Sequence, residues 1–283
     1  MKLLPLTLSA LSALAALVVP LPAAAQAHEY RFSPVNQANI VTAASYWNPI
    51  VAYVSEKSGV KLSLKLGRTS ADTTAYVLAQ EVDFAFTNHL FSPEREQLGW
   101  KVFGRRNTPA PHGVIVVPAD SAVTSLSQLE GKEVGFPGPE AFIAYKTTYA
   151  QLLQRQINVR TVFGGNMDGA FAQLFSGKVA AVGANSQLAE GYTKREGKQF
   201  RVLWTSEAYH DLALMVSPKV PEHDAQAVAR AFIGMAGDPR GREILGSVNK
   251  LLGLPPDAVF IASDGKEYAA YRRFYQSAPA SLR

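Results

Sequence analysis

Apolar and polar residues alternate along some segments of the chain and recur at helical spacing along others. Residues 61–66 alternate strictly, which is typical of a half-buried strand. Residues 43–57 instead carry apolar side chains three or four positions apart and stop just before Gly59, which indicates a helix. Further strands are predicted at 30–35, 82–86, 133–136, 158–163, 177–183 and 200–204, with helices between them. Strands and helices that alternate with short connections predict an α/β fold built from parallel βαβ units.

Two extended apolar runs, 112–117 and 212–217, divide this pattern into two similar parts. Residues 28–111 and 118–211 each repeat the βαβ order, and the helical C-terminal part, 218–283, is expected to return to the first of them. We therefore predict two α/β lobes, each a mainly parallel sheet flanked by helices, joined by the two runs as hinge strands. A cleft between hinged lobes is an arrangement that closes on a small solute.

The stretch from Asp120 to Tyr145 is the most informative part of the chain. A short capped helix around Ser125, a strand over 133–136 and a helix that opens at Glu140 follow one another, with proline and glycine before the last helix. A strand that leads directly into a helix start presents free backbone N–H groups and the positive end of the helix dipole. This geometry favours the capture of a small polar or anionic ligand.

The first 27 residues have the pattern of a secretory signal peptide. An apolar run follows Lys2 and ends in the small-residue motif from Ala25 to Ala27, so we expect cleavage there and a periplasmic mature protein. The alternative, an N-terminal membrane anchor, is disfavoured by the helix-breaking Pro20 and Pro22. We expect no membrane insertion after cleavage.

Composition narrows the function classes. The sequence has no cysteine, which excludes disulfides, thiolate metal sites, a cysteine nucleophile and a lipoprotein anchor. Its formal charge of +5 is spread along the chain, so no nucleic-acid partner is predicted. The five histidines lack metal-ligand spacing, and no cofactor is expected. Motifs for a nucleophile elbow, a P-loop, a zinc protease and dinucleotide binding are missing, so we predict a monomeric binding protein and not an enzyme.

Several stretches, spread over nearly all of residues 28–255, have the form of family motifs. They are Tyr46 to Pro49 with Gly59, Gln80 to Ala85, Val116 to Val134 (VVPADS…LxxLxGKxV), and Gly165 to Val179 (GNMDGA…GKV). These stretches resemble the periplasmic phosphate/phosphite/phosphonate-binding proteins of ABC importers, which have the type II solute-binding fold. The resemblance implies ligand capture in an interlobe cleft and delivery to ABC permease subunits. Two alternatives stay open: a sensor of the same fold that docks on the periplasmic domain of a histidine kinase and, with less support, an enzyme on this fold.

The phosphoryl-binding motif of that family is altered here. Where the family has Ser-Thr-Ser-Gly at a helix start, this sequence has Ala141 to Ala144, with Glu140 just before them. The family's histidine is Met167, although Asp168 is retained. Because a carboxylate at the helix start repels an anion and no hydroxyl is left to grip it, we predict weak or no phosphate binding.

Ten residues are candidates for contact with the ligand, and most have a purely structural alternative. Tyr46 matches a ligand-contact tyrosine of the family but also fits a core position. Asn88 and His89 follow a buried strand at its carboxyl end, where ligands of α/β proteins bind, although His89 also fits a solvated loop. Glu140 is expected either to accept a hydrogen bond from the ligand or to cap its own helix.

The remaining candidates lie near helix starts and near the second apolar run. Phe142 and Tyr145 either stack on the ligand or pack in the core. Asp168, beside Asn166 at a helix start, matches a family position. Before the second run we expect the floor of the cleft, which adds the last two candidates, Tyr209 and His210.

Overall fold

A computed structural model of the protein describes residues 28–283. The predicted signal peptide, residues 1–27, lies outside the described residues. None of the helices within 28–283 is long and apolar enough to cross a membrane.

The first sheet has six strands in the order β11-β4-β10-β3-β1-β2. Four of them run in one direction, while β10 and β11 run in the other. This sheet and the helices packed on it are lobe 1. Its strands are β1 Glu29–Pro34, β2 Lys61–Leu64, β3 Phe84–Thr87, β4 Lys101–Arg106, β10 Ala213–Val216 and β11 Phe260–Ala262.

The second sheet has five strands in the order β7-β6-β8-β5-β9, and only β5 opposes the direction of the others. This sheet and its helices are lobe 2. In each sheet most strands therefore run in one direction, as predicted. The pairing is nevertheless mixed, because the strand that enters each sheet from the other lobe, β5 or β10, is antiparallel to both of its neighbours. The strands of lobe 2 are β5 His112–Pro118, β6 Glu133–Phe136, β7 Arg160–Phe163, β8 Ala181–Asn185 and β9 Phe200–Ala208.

Helices cover the faces of both sheets, and the last one lies between the lobes. Those of lobe 1 are α1 Ile40–Ser58, α2 Asp72–Leu78, α3 Pro93–Glu96, α7 Glu222–Gly234 and α8 Pro239–Leu252. Those of lobe 2 are α4 Thr147–Gln154, α5 Met167–Phe175 and α6 Ser186–Glu196, and the C-terminal helix is α9 Ala269–Ser277. Short 3-10 turns occur at Leu126–Leu129, Lys266–Tyr268 and Ala280–Leu282, and a π-helical turn, Phe142–Lys146, precedes α4.

The two runs predicted as hinge strands coincide with strands inside the sheets. Residues 112–117 belong to β5 and residues 212–217 overlap β10, and each of these strands pairs on both sides within its own sheet. The chain passes between the sheets in the short segments 107–111 and 209–212. We keep the predicted lobe boundaries, 28–111 with 218–283 and 118–211, as a proposal.

One local prediction was wrong, because the helix predicted to open at Glu140 begins at Phe142 as a π-helical turn. Arg105 and Arg106 end strand β4 inside the first sheet. Just before α2, the Asp72 carboxylate accepts the backbone N–H groups of Arg68 and Thr69.

The C-terminal helix α9 contacts both lobes through aromatic rings. The ring of Tyr271 lies 5.2 Å from that of Phe91 in lobe 1 and 4.1 Å from that of Phe142 in lobe 2. Beyond α9, the Lys146 ammonium donates to the carbonyl of Leu282 at 3.1 Å. Helices α7 and α8 therefore pack on lobe 1, as predicted for the C-terminal part. Helix α9 contacts lobe 2 as well, which was not predicted.

Candidate ligand-binding site

A cavity of about 40 Å³ lies between the two sheets. Its walls come from segments that follow the carboxyl ends of strands, namely β1 and β3 in lobe 1 and β6 and β8 in lobe 2. Since a single water needs roughly 10–15 Å³ of such space, the cavity admits only a compact molecule. The lining residues are Val35, Asn36, Gln37, Ser70, Asn88, His89, Pro137, Ala141, Phe142, Ile143, Ala144, Met167, Asn185, Leu188, Asp211 and Leu212.

The lobes touch each other directly at the rim of this cavity. Ser70 donates its backbone N–H to the carbonyl of Gly165 at 2.7 Å, and Asn39 donates its N–H to the Asp168 carboxylate at 3.2 Å. Arg95 of lobe 1 and Glu140 of lobe 2 form an ion pair. The protein is therefore in a closed arrangement.

Two side chains of the lobe 1 wall keep an oxygen without a partner. Asn36 is 1 % exposed and donates through Nδ2 to the carbonyl of Gly67 at 3.2 Å. Because a carbonyl only accepts, the amide nitrogen must face Gly67. Asn36 Oδ1 is then the atom for which the described part of the chain supplies no hydrogen bond. The hydroxyl of Ser70, which is 3 % exposed, also has no partner among the described residues.

Asn88 and His89 follow β3 and are almost completely buried. Asn88 Nδ2 donates to the Tyr271 hydroxyl at 3.0 Å, and His89 Nδ1 lies 2.9 Å from the Thr74 hydroxyl. Burial lowers the pKa of His89 to about 3, even though the nearby Glu140 carboxylate acts in the opposite direction. The imidazole is therefore neutral near pH 7 and presents hydrogen-bonding groups without a charge.

A buried ion pair forms the floor of the cavity. Asp211, which lines the cavity, and Arg106, directly behind it, are each 3 % exposed, and Arg106 Nη2 lies 2.7 Å from Asp211 Oδ2. Nη2 also donates to Gln37 Oε1 at 2.9 Å, while Nε and Nη1 have no hydrogen-bond partner among the described residues. The charge of Arg106 is therefore balanced by Asp211 and is not free for a ligand.

The lobe 2 wall presents hydrogen-bond donors. In the π-helical turn the first intrahelical bonds run from the N–H groups of Tyr145 and Lys146 to the carbonyl of Ala141, at 2.8 and 3.1 Å. The N–H groups of residues 142–144 precede these bonds and are the orphan donors of a helix start. Asn185 Oδ1 accepts two backbone N–H groups at the start of α6, which leaves its Nδ2 as a further donor at the cavity.

Glu140 stands at the edge of this wall and is neutralised from the other lobe. Its two carboxylate oxygens accept from Arg95 Nη1 and Nη2 at 2.5 and 3.0 Å. Burial tends to raise the pKa of Glu140, but the hydrogen bonds and charge of Arg95 outweigh it and the pKa is lowered. The carboxylate is therefore ionised near neutral pH and already paired.

A family model now identifies the chain. The model for periplasmic substrate-binding proteins of phosphonate ABC transporters matches residues 32–256. The chain belongs to this family. It is therefore a periplasmic substrate-binding component of a phosphonate-type ABC transporter, a class that takes up a small-molecule ligand and works with ABC permeases. The family resemblance predicted from the sequence is confirmed.

Solved structures show the same architecture. A binding protein component of an ABC phosphonate transporter from Pseudomonas aeruginosa is 14 % identical, with 88 % of this chain and 85 % of that chain covered and a TM-score of 0.74. PhnD1 from Prochlorococcus marinus, in complex with methylphosphonate, is 15 % identical over 86 % and 95 % of the two chains, with a TM-score of 0.72. A Xanthomonas citri protein bound to ATP is 16 % identical over 90 % and 96 %, with a TM-score of 0.65. These likenesses confirm the predicted two-lobed, type II fold. A comparison with curated proteins gives no match.

Three of the ten residues predicted at the site line the cavity of this phosphonate-type binding protein: Asn88, His89 and Phe142. Phe142 is 1 % exposed and also packs against Tyr271. Glu140 lies at the edge, where it pairs with Arg95.

The other six residues lie outside the lining, and most have structural contacts of their own. Asn166 caps α5 by accepting the N–H of Gly169, and Asp168 pairs with Arg195 at 2.6 Å while it accepts the N–H of Asn39. Tyr46 is buried beside Arg106, 1 % exposed, and its hydroxyl makes no hydrogen bond within residues 28–283.

Tyr145, Tyr209 and His210 point to aromatic neighbours. Tyr145 stacks on Tyr149 at 5.3 Å, Tyr209 lies edge-on to Phe142 at 5.1 Å, and the His210 ring lies 6.1 Å from that of Tyr268. Their contact with a ligand stays a prediction.

Six polar residues of the site were not predicted: Asn36, Gln37, Ser70, Arg106, Asn185 and Asp211. Two of these carry a signal that sequence reasoning can use, because Asn36 and Asn185 stand at or just after the carboxyl ends of β1 and β8. Arg106 also stands at the carboxyl end of a strand, β4, but that strand was not predicted, and its pairing with Asp211 brings together positions that are distant in the sequence. Among residues 28–283 no group of three or more acidic or histidine side chains is placed to hold a metal ion.

Proposed function

We propose that the protein captures a compact, singly charged or neutral polar solute in the cavity between its lobes and delivers it to an ABC permease. The observation that carries this proposal is the lining of the cavity. It combines neutral polar groups with an apolar surface, and each ionised group at its wall is already paired, Asp211 with Arg106 and Glu140 with Arg95.

The charge balance argues against a dianion as the ligand. Burying a charged group without a partner of opposite charge costs on the order of several kcal/mol. In this cavity the positive charges of Arg106 and Arg95 are neutralised by the carboxylates of Asp211 and Glu140. His89 is neutral because burial lowers its pKa. Backbone N–H groups and the positive helix end at 142–144 then stabilise at most a partial or single negative charge. Weak binding of phosphate and methylphosphonate dianions follows from this balance and from the missing hydroxyls at 141–143.

Closure of the lobes is the mechanism that we infer for capture. A ligand that contacts both walls stabilises the closed arrangement, because it gains interactions that an open cleft does not offer. The contacts Ser70–Gly165 and Arg95–Glu140 bring the walls together around the ligand.

A thermal-shift screen of oxyanions, amines and small organic acids tests this proposal. A ligand that binds only the folded state raises the melting temperature, and calorimetry then gives its affinity. We expect compact monoanions or neutral polar molecules to be effective and a phosphate dianion to have little effect. A screen in which no compound of these classes binds would contradict the proposal.

Two other roles are distinguished by further measurements. A sensor of the same fold would bind the periplasmic domain of a histidine kinase in its liganded form, whereas a transport component stimulates the ATPase of a reconstituted permease. For an enzyme, the compound that stabilises the protein would be converted on incubation. We propose transport without turnover.

A further inference from the structure

Helix α6 of lobe 2 turns one of its faces toward lobe 1. Residues 188, 191 and 195 share this face, because they follow one another at spacings of three and four positions along the helix. Leu188 lines the cavity, and Arg195 pairs with Asp168 at 2.6 Å. Asp168 in turn accepts the backbone N–H of Asn39 in lobe 1. This face of α6 therefore runs from the cavity to a contact between the lobes.

In the middle of this face, the backbone of Gly191 touches the C-terminal end of α8 in lobe 1. A Cβ atom at Gly191 would lie 2.5 Å from the carbonyl oxygen of Leu252, and one at Gly253 would lie 2.6 Å from the Cα atom of Gly191. Non-bonded carbon atoms attract each other best at about 3.5–4.0 Å, so neither position has room for a side chain. The two lobes therefore meet backbone to backbone at this point.

The backbone conformation does not require a glycine at position 191. Gly191 lies inside α6, where alanine favours the helix over glycine, and its φ is outside the left-handed region. Gly253 differs, because it ends α8 with a φ of 67°, a conformation that glycine commonly adopts at the end of a helix. The close approach of α8 therefore accounts for the glycine at 191.

We propose that the contact between Gly191 and Gly253 is a stop that sets how far the lobes close. A side chain at either position would meet backbone atoms, which cannot turn away as the end of a flexible side chain can, so the lobes would stay further apart. Both glycines are positioning residues, because the walls of the cavity approach each other only as far as this contact permits. The stop rests on the proposed function, since it matters only in a protein whose lobes open and close.

A disulfide trap measures closure of the lobes without any ligand. The sequence has no cysteine, so an introduced pair has no other thiol in the chain to react with. A Cβ atom at Gly138 in lobe 2 would lie 2.7 Å from Ser70 Oγ in lobe 1, so Ser70→Cys with Gly138→Cys brings two sulfurs together in the closed arrangement. With a fixed amount of copper–phenanthroline, the rate of crosslinking on non-reducing electrophoresis follows the closed population.

Gly191→Ala is compared with Gly246→Ala in this double-cysteine protein. Gly246 also lies inside a helix, α8, but a Cβ atom there meets no atom of residues 28–283 within 4 Å. Each change replaces a helical glycine with a better helix former, so both variants should stay folded. Gly191→Ala should slow the crosslinking about tenfold, whereas Gly246→Ala should leave the rate unchanged.

Gly253→Ala, with Gly197→Ala as its matched control, repeats the test from lobe 1. Both glycines end a helix, with φ values of 67° and 66°, so alanine is strained to a similar degree at the two positions. A Cβ atom at Gly253 meets Gly191, whereas one at Gly197 meets none of the described atoms within 4 Å. Gly253→Ala should therefore slow the crosslinking and Gly197→Ala should not. This second pair decides the question if Gly191→Ala does not fold.

The possible failures are separable. Crosslinking at one common rate in the parent and all four glycine variants would overturn the stop but leave closure of the lobes standing. A lower melting temperature of Gly191→Ala without slower crosslinking would show that the glycine serves packing alone, which also overturns the stop. If the parent cysteine pair does not crosslink at all, the lobes do not close in solution, and the proposed function fails together with the stop.

Discussion

Arg95 and Glu140 join the two lobes at the edge of the cavity through two hydrogen bonds, of 2.5 and 3.0 Å. Arg95 belongs to α3 of lobe 1, and Glu140 stands just before the π-helical turn of lobe 2. Both side chains are about one-fifth exposed, 21 % each, so water screens the pair only in part. In a phosphoryl-binding site the Glu140 carboxylate would repel the ligand. In this protein it stabilises the closed arrangement of the lobes.

Glu140→Gln should favour opening of the cleft. The change removes one charge of a bidentate pair and leaves the Arg95 guanidinium without its counter-charge, at a cost of about 1–3 kcal/mol to the closed arrangement. We expect a larger radius of gyration in small-angle scattering and a weaker apparent affinity for the ligand.

Glu56→Gln is the matched control, because Glu56 pairs with Arg240 on the surface of lobe 1, where both side chains are more than half exposed. That pair should contribute ~0–1 kcal/mol. An identical radius and affinity for Glu140→Gln and Glu56→Gln would contradict the role of the interlobe pair.

Acid should weaken the Arg95–Glu140 pair. The pKa of Glu140 in the folded protein is lowered from its ordinary value of 4.5, so the stabilisation is fully present above that value and is lost as the pH falls through the folded-state pKa. The stability difference between the unaltered protein and Glu140→Gln should therefore shrink below about pH 4.5. Urea titrations over this range measure it, and a difference that grows with acid would contradict the pairing.

His89 should make the protein less stable as the pH falls below its ordinary pKa of 6.5. Burial lowers the folded-state pKa to about 3, so between these values only the unfolded chain takes up the proton, and the loss approaches roughly 1.4 kcal/mol per pH unit. His89→Gln should remove this slope, whereas His223→Gln, at a side chain that is 88 % exposed, should not. NMR titration of the His89 ring gives the pKa directly, and a value near 6.5 would contradict its burial.

Phe142→Ala should destabilise the protein by about 3–5 kcal/mol. The Phe142 ring is 1 % exposed and contacts Tyr271 at 4.1 Å and Phe274 at 4.8 Å, so its loss leaves a cavity between lobe 2 and α9. Phe163→Ala, at a ring that is 41 % exposed, should cost much less. Equal melting temperatures for the two variants would show that α9 does not brace the lobes.

Variants of His89, His210 and Asp168 test where the ligand lies. From the sequence we expect His210→Ala and Asp168→Ala to weaken ligand binding without unfolding the protein, and from the lining of the cavity we expect the same of His89→Gln. Calorimetry on the three variants separates these expectations. If only His89→Gln binds weakly, the ligand lies in the cavity. Weak binding confined to the His210 and Asp168 variants would place it outside.

Much of the fold follows from local patterns in the sequence. The strict alternation at 61–66 and the helical spacing at 43–57 correspond to β2 and α1, and the capped turn at Ser125 is also found. Strands β4 and β11 were missed because they hold their places by pairing with distant strands and not by a pattern of their own. Arg106 shows the same limit, since its burial depends on Asp211, which is more than a hundred positions away.

The site was predictable only in part, for a similar reason. Asn88 and His89 were found from their place after a buried strand, and Asn36 and Asn185 are open to the same argument. The pairing of Glu140 with Arg95 and of Asp211 with Arg106 joins segments from different lobes or strands, so the charge of the cavity is a tertiary property. Family motifs located the altered helix start from the sequence. That Arg95 of lobe 1 neutralises the Glu140 carboxylate there is visible only in the folded structure.

A crystal structure with the compound that gives the largest thermal shift tests the central claim most directly. We expect density for that compound in the cavity lined by Asn36, Asn88 and Phe142. Density in the outer pocket of about 340 Å³ beside Trp100, or anywhere else outside the interlobe cavity, would contradict it.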